Sequence, residues 1–338
     1  GIGYAALEAN TTGSHNVSVG WTALDANTTG STNTALGAEA LSSNTTGGDN
    51  VAVGFDALRT ATTASNNVAV GRSALDATTT GYANAAVGHY ALVANTTGSG
   101  NVAVGFQAGD GITTGSYNVA LGYNCLSATV TADANTAIGN SVLVANTSGT
   151  KNTAIGQAAL AANTTADNNT AIGVSALAAN TTGTQNIAVG VSALQANTTS
   201  PNNTAVGYAA LDANTTGSGY NTAIGWNSTT SNTTGEVQVG VGGNSLQANT
   251  TGTQNTAVGG NSLYANTTGS DNVAIGHNTL DANTTASNNT AIGKDALTAC
   301  TTGYGNVAIG QTTSGAKLTV NGNISASSHI TASGKITS

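Results

Sequence analysis

"NTAIGQAALAANTTADN" runs from Asn152 to Asn168, and the residue after it is again Asn, followed by "TAIG". The same 17-residue unit opens at Asn16, Asn33, Asn50, Asn67 and on to Asn203. One residue is inserted around Tyr220, and the spacing resumes at Asn221, Gln238, Asn255, Asn272, Asn289 and Asn306. That makes 18 starts, with a partial unit at Ile2 and Gly3. A fixed period of this length is the signature of a repeat architecture, in which each unit buries its apolar residues only against its neighbours.

Within a unit each place has its own residue type. The fourth is Val, Ile or Leu (Val19, Ile138, Ile309), the fifth is Gly, the third is nearly always Ala and the ninth nearly always Leu. "ANTTG" follows, a cluster of turn formers. Alternation of period two, broken every few residues, predicts two short strands and two turns per unit, too short for helices. The fifth-place Gly marks a corner where φ is positive or where a neighbouring backbone leaves no room for a side chain. Stacked coils about 4.8 Å apart would make a rod on the order of 85 Å long. Asn and Thr would then bond from coil to coil as ladders. "NTT" is also a glycosylation sequon, but its recurrence in nearly every unit is better explained by stacking.

Composition agrees. The 338 residues include 45 Gly, one Pro, 6% charged and 4% aromatic residues, so the core must be dense in small side chains. A net charge of −8 argues against nucleic acid, whose phosphates demand a basic face. No apolar run approaches the roughly 20 residues that span a bilayer. Because Ile2 and Gly3 already belong to a repeat, further sequence ahead of Gly1 is expected.

The "NVAVG…AL…NTTG" units resemble the head repeats of trimeric autotransporter adhesins and, more closely, the repeats of phage tail fibres. The resemblance covers roughly residues 1–312. It implies a left-handed parallel β-roll with three chains side by side, and a place on a virion surface or, alternatively, on a bacterial outer surface. The longer units, with their Leu and "ANTTG" second half, depart from the adhesin heads. Physics also favours a trimer. The first strand is apolar on both sides, Ile155 on one and Ala154 on the other, and one side of a thin coil needs cover. The expectation is that Val and Ile fill the interior and that the Ala side packs on neighbouring chains. A monomer with exposed Ala is the alternative.

After Gln311 the frame ends, and residues 313–338 form a separate segment. "AKLTVNGNIS" alternates around Asn321-Gly322, a tight-turn pair, and Ile324, Ile330 and Ile336 recur every six residues. This predicts a β-hairpin and narrow stalk. It is similar to the stretch ahead of the self-cleaving intramolecular chaperone of phage tail spikes, which implies trimerisation and release after a Ser. None of that chaperone's catalytic residues is in this sequence, and the stop at Ser338 suits a cleaved product or an arbitrary end.

No catalytic constellation emerges. His15, His89, His277 and His329 are scattered, and Cys125 and Cys300 lie ten coils apart, far beyond a disulfide's reach of about 7 Å. Cys125 reads as a buried filler and Cys300 as a substitute for the turn Asn. No enzyme activity, cofactor or metal is expected. One varied column stands out: the sixth place holds Tyr4, Trp21, Phe55, Phe106, Tyr123, Tyr208 and Trp226, and elsewhere Arg72, His89, Gln157 or Lys294. Tolerance of Arg and Lys implies exposure, so these rings are candidates for contact with a host surface glycan or protein, against the plainer reading that they cap the strand corner. The functional expectation is a homotrimeric fibre acting as spacer and attachment element. Ice binding by Thr arrays is a remote alternative, because adjacent Thr residues point to opposite faces.

Overall fold

The computed structural model describes residues 1–128 and 131–310. The hairpin and stalk expected over 313–338, with His329, lie outside the described residues. Among the described residues eighteen three-residue strands follow one another, from β1 (Val17–Val19) to β18 (Val307–Ile309). Each pairs in parallel with the next, in a register of one unit: β9 (Thr153–Ile155) sets Ala154 beside Ala171 and Ile155 beside Ile172 of β10 (Thr170–Ile172). The fold is an all-β parallel β-solenoid with one strand per coil and a single sheet running its length.

Among the described residues the predicted second strand is absent. Its place is taken by a string of turns in which the seventh and ninth residues are left-handed, Ala158 at φ 56° and Leu160 at φ 49°, and the coil's last residue, Asn168, lies at φ 60°. Alternating left-handed residues prevent an extended run. The segment still bonds from coil to coil: Ala158 N–H donates back to the carbonyl of Asn140 at 3.1 Å, and Leu160 N–H forward to that of Ala176 at 3.0 Å. Left-handed Leu is unfavourable by itself. These bonds and complete burial of the side chain hold it.

The structure inverts the expected strand faces. The third-place Ala residues point inward and, except for Ala308 in the last strand, are fully buried, whereas the second- and fourth-place side chains point out, Ile172 being 38% and Leu36 47% exposed. Period two specifies that neighbours face opposite ways, not which way is in. Here the lumen decides. Most coils already hold a buried Ala or other small residue at the eighth place, a buried Leu at the ninth and two Asn side chains, and beside them only a small residue fits at the third place.

Both Asn columns are interior ladders. Asn152 Nδ2 donates to Asn135 Oδ1 at 3.2 Å and to the carbonyl of Ala166 at 2.8 Å. Asn163, the "NTT" asparagine, donates to Asn146 Oδ1 at 2.9 Å and to the same carbonyl at 3.2 Å. In this way buried amides find partners without water, and the sequon nitrogens are committed inside the coil. The first Thr of each pair spends its hydroxyl similarly, Thr164 Oγ1 on the carbonyl of Thr181 at 3.2 Å, while Thr165 stays exposed.

The corner Gly satisfies both reasons for its absence of side chain. Gly156 lies at φ 121°, and a Cβ there would stand 2.6 Å from the carbonyl oxygen of Gly173 in the next coil. The register also survives the insertion. Asn221 N–H donates to Asn203 Oδ1 at 3.2 Å and Gln238 N–H to Asn221 Oδ1 at 3.0 Å. The extra residue is absorbed in the Gly217–Gly219 stretch rather than at Tyr220, which keeps the left-handed end-of-coil position at φ 60°.

Candidate functional site

Two surfaces emerge from this architecture. One is the outer face of the sheet. Its fourth-place rank is Val, Ile or Leu in every strand, and its second-place rank is Thr in eight strands and mostly Val in the others. Parallel and two side chains wide, it spans on the order of 600 Å² by strand spacing, the polar Thr residues included, which is the upper end of the largest patches that soluble monomers expose.

The other is the sixth-place column, just beyond the Gly corner. All seven aromatic residues singled out in it are exposed, from Phe106 at 42% to Tyr4 at 75%. The structure does not gather them into one patch. It joins Phe106 and Tyr123, whose rings stack at 5.6 Å with 8° between planes. His89 meets Phe106 edge-on at 5.5 Å, and the Arg72 guanidinium lies 5.7 Å from the Phe55 ring centre. Phe55, Arg72, His89, Phe106 and Tyr123 thus form a run over five successive coils. The sequence reading treated Arg72 and His89 only as evidence of exposure. Their membership follows from the same period that places the rings, because cations and imidazole pack on aromatic faces. Tyr4 and Trp21 sit at the start of the rod, and Tyr208 and Trp226 lie about five coils past Tyr123.

The cysteines occupy the predicted settings. Cys125 is buried as a core filler, and desolvation pushes its thiol up to about 11, which leaves it protonated and unreactive at neutral pH. Cys300 replaces a ladder Asn and reaches the Gly303 carbonyl at 3.4 Å, as the amide would. Charges are sparse, and Arg59 gathers three of the acids: its Nε bonds Asp76 Oδ1 at 2.9 Å, and Asp56 and Glu39 each lie 4.0 Å from the guanidinium. Among the described residues no group of three or more His, Cys, Asp and Glu is placed to hold a metal ion, and no helix is long and apolar enough to cross a membrane.

No protein-family model matches the chain, and neither the curated proteins nor the solved structures searched contain a detectable match.

Proposed function

We propose that the chain is the shaft of a homotrimeric fibre that acts as spacer and attachment element, in the manner of a virion tail fibre. A bacterial surface adhesin of similar build is the alternative. The observation that carries this reading is the outward aliphatic face, which replaces the Ala side as the surface needing cover. Around a threefold axis this face, on the order of 600 Å² per chain, is shared between two neighbours, so each pairwise contact takes about half of it, less than the 800 Å² or so per partner of a standard interface. The difference between its ranks favours threefold symmetry: the wholly aliphatic fourth-place rank goes to the axis, and the mixed Thr and Val rank goes toward the rim. Like coils then stack on like, and a regular rod is extended without a globular core.

Attachment is assigned to the sixth-place rings, above all the Phe55–Tyr123 run, which would stack on sugar rings or apolar protein groups. Two experiments test the parts separately. Lysine at both Ile155 and Ile172 buries charge in the proposed interface and should shift the trimer toward a 32.6 kDa monomer. Substituting Phe106 and Tyr123, or Trp21 and Trp226, with Ala should leave the assembly intact and lower cell adhesion or glycan-array signal. Adhesion unchanged in both double variants would remove the column from the reading. Thermal hysteresis in the wild-type protein would instead favour ice binding by the flat face.

A further inference from the structure

The outer face is not uniform along the rod. From β3 (Val51–Val53) through β4 (Val68–Val70), β5 (Ala85–Val87), β6 (Val102–Val104) and β7 (Val119–Leu121), both outward ranks are aliphatic. The second place there reads Val51, Val68, Ala85, Val102 and Val119, and the fourth Val53, Val70, Val87, Val104 and Leu121. In the other described strands an aliphatic second place never occurs twice running: Val17, Ile187, Val239, Val273 and Val307 each stand beside Thr. Val68, Val87, Val102 and Val104 are between 37% and 42% exposed, so the patch is open to a partner. A Thr hydroxyl that leaves water must find a new partner, and a Val methyl need not. These five coils are therefore the stretch on which a second copy can settle across both ranks without desolvating a hydroxyl.

The interior of the same coils is less firmly tied. The twelfth-place ladder links Asn27 to Asn10 at 2.9 Å and Asn44 to Asn27 at 2.8 Å, and it runs again from Asn146 to Asn163 at 2.9 Å. Between these runs the place is held by Ala61, Thr78, Asn95 and Ile112. Asn44, followed by Ala61, and Asn95, followed by Ile112, each keep a buried Oδ1 without a donor. Asn283, followed by Cys300, does the same, so the cause is the amide missing from the next coil. Ile112 takes space left by Gly109 at the ninth place, where an added Cβ would stand 3.1 Å from Ile112 Cδ1. Ladder bonds are exchanged there for apolar filling. Lost bonds and unpaired acceptors weaken a coil from within, and a partner that binds only the closed coils restores the loss.

We propose that β3–β7 is the clasp of the assembly: copies of this chain meet there across both ranks, and these coils rely on that contact to stay closed. The inference rests on the trimeric reading and adds where the trimer is held. It also fixes register, because a slip of one coil between copies reduces the matched aliphatic coils from five to four. The Phe55–Tyr123 run stands on the same five coils, so the clasp sets three copies of those rings at one height of the rod.

The test mixes two differently labelled populations of the full chain and follows subunit exchange by energy transfer, with amide hydrogen exchange on the same samples. One triple variant carries Val68→Thr, Val102→Thr and Val119→Thr, and the control carries Val17→Thr, Val239→Thr and Val273→Thr. Thr occupies this place in eight strands, so both triples should keep the coil, which circular dichroism checks. Subunit exchange should quicken about tenfold or more in the first triple, where newly buried hydroxyls go unpaired, and less than about threefold in the control. Amides of β3–β7 should exchange about tenfold faster in the first triple than in wild type, while those of β9 and β10 stay unchanged. Val102→Thr alone, read in the same way, replaces the triple if the triple fails to fold. Equal subunit exchange in the two triples would overturn the proposal and leave the trimer standing, as would unchanged amides in β3–β7. A wild-type protein that is monomeric would overturn both, whether or not a different protein occupies the face.

Discussion

The coils around β9 and β10 and those around β13 (Thr222–Ile224) and β14 (Val239–Val241) solve the same packing problem with different chemistry. In the first pair the lumen is aliphatic: Ala154, Ala159, Leu160, Ala171, Ala176 and Leu177 are all fully buried. In the second, Ser228, Thr229, Gly240 and Ser245 occupy the corresponding places, and the apolar core divides there into two clusters. Hydroxyls fill the gap by bonding. Ser228 Oγ donates to the Gly240 carbonyl at 2.9 Å and lies 2.9 Å from Ser245 Oγ, which itself donates to the Gly242 carbonyl at 3.0 Å. Yet strand register passes through unbroken, Ala223 beside Gly240 and Ile224 beside Val241. The coil path is therefore set by the backbone bonds, the corner Gly and the Asn ladders. Apolar filling adds stability within a frame that tolerates its local loss.

The comparison is broken most readily through the ninth place. Leu160→Ala should cost about 2–5 kcal/mol, the usual range for a buried Leu that leaves a cavity, whereas Thr229→Ala should cost about 1 kcal/mol, since a small polar contact is lost. Equal losses in urea unfolding would mean that the two lumens are not energetically distinct. The corner should behave in the opposite way. Gly242 lies at φ 131° with the Gly259 carbonyl oxygen 2.6 Å from an added Cβ, nearly the setting of Gly156. Gly156→Val and Gly242→Val should each cost about 1–3 kcal/mol, and a large difference between them would tie the corner to core filling.

Acid sharpens the same contrast within the aliphatic half. Burial pushes the carboxyls of Asp110 and Asp212 above the ordinary Asp value, and Asp110 Oδ1 has no donor. A raised value means that the folded chain prefers the protonated form, so the stabilising share is present at low pH and is lost as pH rises through the raised value. Asp110→Asn should accordingly melt above wild type at pH 7, and the gap should close below about pH 4, where an ordinary Asp is itself protonated. A gap that widens on acidification would contradict the assigned cause. Smallest of all, Gln157→Lys at an exposed sixth-place position should shift stability by less than about 0.5 kcal/mol.

Much of this frame was legible in the residues themselves. The period located every strand, the invariant Gly located the corner, and the repeated Asn and Leu located ladders and core, because stacking makes each place in the unit a column. Two features escaped. Ala154 and Ile155 are both apolar, so alternation could not say which faced the lumen; the width left beside Leu160 and the two Asn ladders decided it. The left-handed Leu160 and Ala158 contradict local preference and exist because bonds to adjacent coils over-determine them.

The central claim is that the outward Val and Ile face is an interface between copies of this chain. Light scattering of the purified wild-type protein tests it most directly. The account predicts an elongated particle of three times 32.6 kDa, about 98 kDa, that persists on dilution. A stable 32.6 kDa monomer at micromolar concentration would contradict it, and with it the fibre built upon that face.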